Sequence, residues 1–481
     1  MARKVAYAAF GVSALAIAHL INTKVPEPYM DEVVHVPQAR AYCRGEWSYW
    51  DPLLTTPPGP YLISAFLSHS LPLLQPAACH TASLRLLNVG FLLLLPLLYS
   101  QLLLLIRHST LRSSTRGKVT PSRAAQDARD HHEEAYEGLV VACFPVAAFF
   151  AWLYYTDLGG LVLVMLSLRE GLRKRWAYSA MAGAASLFFR QTNIIWVAFI
   201  AVTCVVRRLQ PLTELHNPPL AKARLVDVPK SIHSLFALSL FNIPTILPLL
   251  RAYVPVFVGA LGFVLWNGGI VLGDKQNHVP TFHFTQLYYF TAFSAAFLAP
   301  ILLSPSAVKI ALVGLLGSPR RFVCSFISLI CMCWTIHHYT FSHPFLLSDN
   351  RHYTFYLWRR LINPHPLARY FLSPIYLLSL RLLWDRLSSS QTMTLLPFIF
   401  YVLSIALTLI PSPLIEPRYF IVPWVILRLH LRIRGAESRT RRARLAMEAA
   451  GYLAVTVVTV AVFVGRPFEW ESEAGKMRFM W

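Results

Sequence analysis

Two adjacent carboxylates, Asp31 and Glu32, open a stretch that continues through His35 and Gln38. On a helix Asp31, His35, Gln38 and Tyr42 share one wall, while Met30, Val33, Val34 and Ala41 fall largely elsewhere. A carboxylate so placed can take the proton of an attacking hydroxyl. With an ordinary aspartate pKa of about 3.9 it is a weak base, so the proton moves late, as the new bond forms. The commonplace role for Asp31 is to cap a helix. Two acids and a histidine at one membrane surface point past that role.

The second constellation is Ser348-Asp349-Asn350-Arg351-His352-Tyr353-Thr354-Phe355-Tyr356-Leu357-Trp358-Arg359-Arg360. Arg351 and Arg359 can grip a phosphate bidentately, and the interleaved aromatic rings can pack on an isoprenoid chain or a sugar face. Arg190 and Arg418 add guanidinium groups, although Arg418 beside Glu416 equally suits an internal ion pair. A carboxylate together with cations and aromatic rings suits group transfer from a lipid phosphate, the cations stabilising the departing anion.

The elements that must position these residues are membrane helices. Of the 481 residues 56% are hydrophobic and 14% charged, and apolar runs recur from end to end with only short polar loops between them. The expected architecture is an all-α polytopic membrane protein of about thirteen spans, read as a single domain over residues 1–481. The +21 charge (44 Lys and Arg against 23 Asp and Glu) follows the retention of basic loops in the cytosol, and no nucleic-acid-binding motif is present. Loops 107–137, 207–245 and 428–446 are cytosolic by their basic content. Loop 23–80, richer in acids, belongs on the opposite side, and so does 342–365.

That placement makes 342–365 the most basic loop on a side that should be poor in bases, so its arginines call for a partner other than topology. In the first loop, two short amphipathic helices lie against the membrane, with Trp47 and Trp50 at headgroup level and Asp51 beside them. Residues 5–21 form a retained first span rather than a cleaved signal. Cys43 and Cys79 share that loop and can pair if it faces an oxidising compartment. His131-His132-Glu133-Glu134 lacks metal-ligand spacing and reads as a solvated linker, so no metal is expected.

No D-x-D, P-loop, dinucleotide-binding or serine-hydrolase motif is present. A glycosidase pair is excluded, because adjacent acids on a helix point apart and cannot flank one bond. The alternative from another class is a non-enzymatic membrane protein, a lipid or sugar transporter or a channel-associated regulator. Transporters favour repeated halves with midplane charges; this chain has no internal repeat, and its polar motifs cluster on one face.

The motifs Glu27-Pro28-Tyr29-Met30-Asp31-Glu32, Pro37-Gln38-Ala39, Trp50-Asp51-Pro52, Phe189-Arg190-Gln191-Thr192-Asn193-Ile194-Ile195-Trp196, Asn267-Gly268-Gly269-Ile270-Val271, Asp349-Asn350-Arg351-His352-Tyr353-Thr354-Phe355-Tyr356, Arg418-Tyr419-Phe420 and Arg478-Phe479-Met480-Trp481 span nearly the whole chain. On them the sequence resembles the dolichyl-phosphate-glucose-dependent α-1,2-glucosyltransferases that complete the lipid-linked oligosaccharide for N-glycosylation. The resemblance implies a GT-C-type fold in the endoplasmic reticulum membrane with a luminal site. It implies dolichyl phosphate glucose as donor, a diglucosylated dolichyl-pyrophosphate-linked oligosaccharide as acceptor, membrane lipids around both, inversion at the anomeric carbon, and no cofactor. It matches Asp31 to the catalytic acid, with Glu32 beside it. The substrate-binding residues expected are His35, Gln38, Trp50, Asp51, Arg190, Arg351, His352, Tyr353, Arg359 and Arg418.

Overall fold

Apolar runs of the length a bilayer demands become helices throughout. A computed structural model of the chain describes residues 2–70, 79–114, 134–275, 279–433, 438–471 and 473–481. Most of the protein is helical, and six helices among the described residues are long and apolar enough to cross a membrane. It is a multi-pass membrane protein. The His131-His132-Glu133 part of the histidine-rich linker lies outside the described residues.

The chain, read from sequence as one domain, forms two compact units: residues 1–217 with 224–278, and residues 218–223 with 279–481. The first unit contains α1 (Ala2–Lys24), α2 (Glu32–Cys43), α3 (Gly59–Ser70) and α4 (Thr81–Ser114). After them come α5 (Asp157–Leu172), α6 (Trp176–Leu187), α7 (Ile194–Leu209), α8 (Asp227–Phe241) and α9 (Ile243–Asn267). The first helix packs into the protein as a span does: Ala14, Ala18 and Ile21 are buried, and the Trp152 indole donates to the Ala14 carbonyl at 3.1 Å. Helix α8 falls inside the stretch 207–245 read from sequence as a connector.

The second unit holds α10 (Gln286–Phe297), α11 (Pro305–Leu316), α12 (Pro319–Tyr339), α13 (Tyr353–Leu357), α14 (Ser373–Ser390), α15 (Leu395–Leu409), α16 (Ile421–His430) and α17 (Ser438–Gly465). It ends in the antiparallel hairpin β1 (Phe468–Trp470) and β2 (Glu473–Met477). Helices α11 and α12 start on Ser304 and Ser318, whose hydroxyls accept from Ala307 N and Arg321 N, each followed by proline.

Cys43 and Cys79 form a disulfide, which ties the end of α2 to the approach of α4. That settles a pairing the sequence left open. Cross-linking residues 36 apart limits the unfolded chain and fixes one edge of the first loop.

Candidate functional site

The first loop is built around an ion pair that belongs to no motif. Arg85 and Asn88, one turn apart on α4, both point into the protein. The Arg85 guanidinium donates to Glu32 through Nε (2.8 Å) and Nη2 (2.6 Å), and to Asn22 Oδ1 and the Val25 and Glu27 carbonyls. Asn88 Nδ2 donates to the Leu153 and Tyr155 carbonyls at 2.7 and 2.8 Å. Glu32 in turn accepts from the Tyr154 N–H at 2.6 Å and the Tyr29 N–H at 3.1 Å. Every Arg85 N–H has an acceptor, and each Glu32 oxygen accepts twice, which is what lets a charge pair remain fully buried.

This pair fixes the start of α2 and with it Asp31. The half-buried Asp31 sits one residue before the helix, and its carboxylate makes no capping hydrogen bond to the first turn. Its N–H donates to the Tyr155 hydroxyl at 3.3 Å. The residue before it, Met30, is held at φ 53°, a left-handed conformation that costs a side-chain-bearing residue about 1–2 kcal/mol and concentrates at functional sites.

The polar wall predicted for α2 does exist, but it faces the protein. His35, Gln38 and Tyr42 are buried, and the exposed face of α2 carries Val33 (58% accessible) and Pro37. His35 Nδ1 shares a hydrogen bond with the Tyr61 hydroxyl, and its ring lies 6.2 Å from that of Tyr155. Burial, together with the neighbouring Tyr154 and Asp31, pushes the Tyr61 phenol well up, so it stays protonated.

Gln38 spends both ends of its amide on the loop that follows: Nε2 donates to the Tyr49 carbonyl at 2.8 Å and Oε1 accepts from the Asp51 N–H at 2.9 Å. Asp51 closes its own turn by accepting from the Leu53 N–H at 2.9 Å, and Trp50 packs edge-on to Tyr61. Glu32, expected in catalysis, and Gln38, expected on substrate, are both fully buried and saturated by protein partners.

Arg190 joins the same unit. It pairs with Asp157 at the head of α5, and its segment locks onto the first loop where Gly59 N donates to the Phe188 carbonyl at 2.7 Å and Gln191 Nε2 to the Thr55 carbonyl at 2.8 Å. A Cβ on Gly59 would stand 2.5 Å from that carbonyl, so the contact requires glycine.

In the second unit the 349–360 segment is clamped by the chain's last residues. Tyr353 N donates to the Met480 carbonyl at 2.9 Å, and Met480 N donates to the Arg351 carbonyl at 2.8 Å. His352 Nδ1 lies 2.9 Å from the Trp481 carbonyl oxygen, and the Tyr353 and Trp481 rings meet edge-on. Arg351 forks onto Asp349 through Nε and Nη2, both at 2.9 Å, and stacks 4.5 Å over Trp470 of the hairpin. Burial pushes the Asp349 carboxyl up, but the Arg351 hydrogen bond and the nearby His352 outweigh it and hold it below the usual range. Burial also pushes the Tyr353 phenol up to about 12.

Arg359 and Arg360 lie over Phe355 and Tyr356, one helical turn back, and are exposed. The turn that carries them, Trp358–Ile362, is a π-helix, a form frequent at functional positions. Arg418 pairs with Glu416. The arginines read from sequence as calling for an outside partner thus divide. Arg190, Arg351 and Arg418 each hold an internal carboxylate, whereas Arg359 and Arg360 rest on aromatic rings.

Arg85, Asn88, Tyr61 and Tyr155 were not singled out by sequence. The available signal was a charged residue inside an apolar span, which is costly unless it serves a purpose.

Residues 25–429 match the DIE2/ALG10 family. Among curated proteins the chain is similar to several named Dol-P-Glc:Glc(2)Man(9)GlcNAc(2)-PP-Dol alpha-1,2-glucosyltransferase. The one from Rattus norvegicus is 34% identical over 95% of this chain and 93% of its own length. The one from Arabidopsis thaliana is 30% identical over 96% of each. A human protein of the same name is 33% identical over 95% of this chain. No solved structure matches.

Proposed function

The chain belongs to the DIE2/ALG10 family, and on that premise we propose that it transfers glucose from dolichyl phosphate glucose to the diglucosylated dolichyl-pyrophosphate-linked oligosaccharide. It is a dolichyl-phosphate-glucose-dependent α-1,2-glucosyltransferase that adds the terminal glucose of the N-glycan precursor. The observation that carries this is the match along nearly the whole chain to relatives bearing that activity, at 34% identity to the rat protein. Nothing observed favours a transporter or a channel-associated regulator.

The finer reading is a GT-C-type enzyme of about thirteen spans in the endoplasmic reticulum membrane, with loops 23–80 and 342–365 in the lumen. The shorter apolar helix α15 falls on one of those spans. In the reaction a sugar hydroxyl of the acceptor attacks the anomeric carbon, the bond from that carbon to the dolichyl phosphate oxygen breaks, and the configuration inverts. Asp31 accepts the hydroxyl proton as the bond forms, and dolichyl phosphate leaves with the electron pair. The support for Asp31 is its place at the head of α2, on a strained backbone step and outside the saturated Glu32–Arg85 pair.

Glu32, His35 and Gln38 act through Asp31 as positioning residues. Arg351, His352 and Tyr353, with Arg359, bind lipid phosphate, their aromatic neighbours taking the chain or the sugar. Arg190, Arg418, Trp50 and Asp51 contribute to substrate binding. Because Arg351 and Arg418 already carry carboxylates, an incoming phosphate exchanges with Asp349 and Glu416 rather than filling a vacancy.

The test gives purified protein the donor and the diglucosylated acceptor and compares wild type with Asp31→Asn. Loss of transfer by about a thousandfold, with thermal stability retained, is expected when a general base is removed. Normal turnover by Asp31→Asn would remove Asp31 from the chemistry.

A further inference from the structure

Helices α11, α12 and α14 line an open groove of about 420 Å³ beside a second of about 380 Å³, and the two share Gly314, Arg321 and Arg381. Lys309 and Arg320 complete the cationic lining. Among the described residues one carboxylate answers these charges: Asp385, paired with Arg381 at 2.9 Å. The Arg381 guanidinium lies flat against Gly314, where any Cβ would collide with it.

Retention of basic loops on one side of a membrane accounts for the sign of these charges but not for their arrangement. Arg320 and Arg321 occupy the first turn of α12, which has no acid there. That is the end of a helix where unsatisfied N–H groups and the macrodipole disfavour cations and favour an anion. Arg321 Nη1 donates to the Val313 carbonyl near the end of α11 at 3.2 Å and Arg381 holds Asp385, yet with Lys309 and Arg320 the four cations around this groove outnumber its one carboxylate, a balance that favours an added anion.

Its surroundings say which kind. Ile310 and Val313, which line the second groove, stand 53% and 48% accessible, and Phe322 and Val323 beside Arg321 on α12 are 55% and 52% accessible, the surface a span presents to acyl chains. The 21 residues of α12 extend about 31 Å, so this groove lies at the opposite end of that span from the 342–365 loop. We propose that the groove between α11, α12 and α14 binds the phosphate of an acidic membrane phospholipid, at a site separate from the donor-phosphate residues.

The full-length protein, reconstituted in nanodiscs containing phosphatidylinositol and phosphatidylcholine, is examined by native mass spectrometry for retained lipid. Wild type is expected to keep phosphatidylinositol in preference to phosphatidylcholine. Arg320→Gln/Arg321→Gln, exposed positions that leave the helix cap intact, is expected to lose that preference by about tenfold. Arg381→Gln is expected to lose it as well, and the charge-matched control Lys222→Gln/Arg224→Gln to keep it. Melting temperatures accompany each variant, so loss of lipid at unchanged stability reports the site. Equal retention of both lipids by wild type, or an undiminished preference in both arginine variants, would overturn the proposal. So would displacement of the lipid by millimolar inorganic phosphate, which would assign the groove to a free ion.

Discussion

The head of α2 and the 349–360 segment are both polar, yet they are held by opposite means. Around Asp31 the polar groups are consumed internally: Glu32, Arg85, Asn88 and Gln38 are buried and answered by protein atoms, and the Cys43–Cys79 disulfide closes the edge. Around Arg351 the ion pair to Asp349 is part-exposed, and the segment is fastened by backbone contacts to residues 480 and 481. A buried network of that kind rigidifies, because opening it would strand desolvated charge. An ion pair that keeps some contact with solvent is exchanged at less cost than a fully buried one. The contrast suits a group that must be positioned for proton transfer on one hand, and cations that must admit and release a phosphate on the other.

The comparison breaks first, and hardest, at Arg85. Arg85→Met strands the Glu32 carboxylate in the interior, and removing one partner of a buried pair costs about 3–5 kcal/mol. Thermal unfolding and expression should show that loss directly. Glu32→Gln/Arg85→Met removes both charges and should recover much of the stability. If the double variant also recovers glucose transfer, Glu32 is a positioning residue; if it folds and remains inactive, the carboxylate takes part in the chemistry and the first region is not merely a rigid support.

A smaller effect is expected at the exchangeable cation. If Arg351 binds the donor phosphate as proposed, Arg351→Met should raise the KM for dolichyl phosphate glucose by about tenfold to a hundredfold, with the melting temperature little changed. Asp349→Asn removes the competing carboxylate and should move donor KM the other way or leave it unaltered. A fall in kcat alone for Arg351→Met would mean that this arginine acts in the transition state rather than in donor binding.

Much of this was legible in the sequence, because the signals were local. Apolar runs of bilayer length marked membrane-crossing helices, six of them among the described residues, and the acid at 31 and the arginine-aromatic segment near 351 drew notice by residue type alone. What stayed hidden was long-range. The partner of Glu32 lies 53 residues away and that of the Asp31 amide 124 residues away, so the direction of the polar wall on α2 could not be read from its periodicity. Helical spacing says which residues share a face, not which face is buried when the exposed side is apolar because it meets lipid. Arg351 differs, since its partner Asp349 is only two residues away, as is Glu416 for Arg418, a pairing the sequence already allowed. Positive charge on a side expected to be poor in bases called for an anion, and the nearby Asp349 supplies one.

The smallest effect expected sharpens the contrast at the clamp. Met480→Pro deletes the N–H that reaches the Arg351 carbonyl and should cost about 1 kcal/mol, loosening the segment without unfolding the unit. Acid should do the same reversibly. Since Arg351 holds the Asp349 carboxyl below its usual range, the native state favours the ionised form. The stability this adds is complete above the unfolded pKa of about 3.9 and is lost as pH falls through the lower folded value. Pepsin, which works in that range, should therefore begin to cut at Phe479 only as the pH drops below about 4, and in Asp349→Asn it should cut already at the upper end of its range. Were wild type and Asp349→Asn cut at the same pH, the carboxylate would contribute nothing to the clamp, and the fastening of this segment would rest on its backbone bonds and aromatic contacts alone.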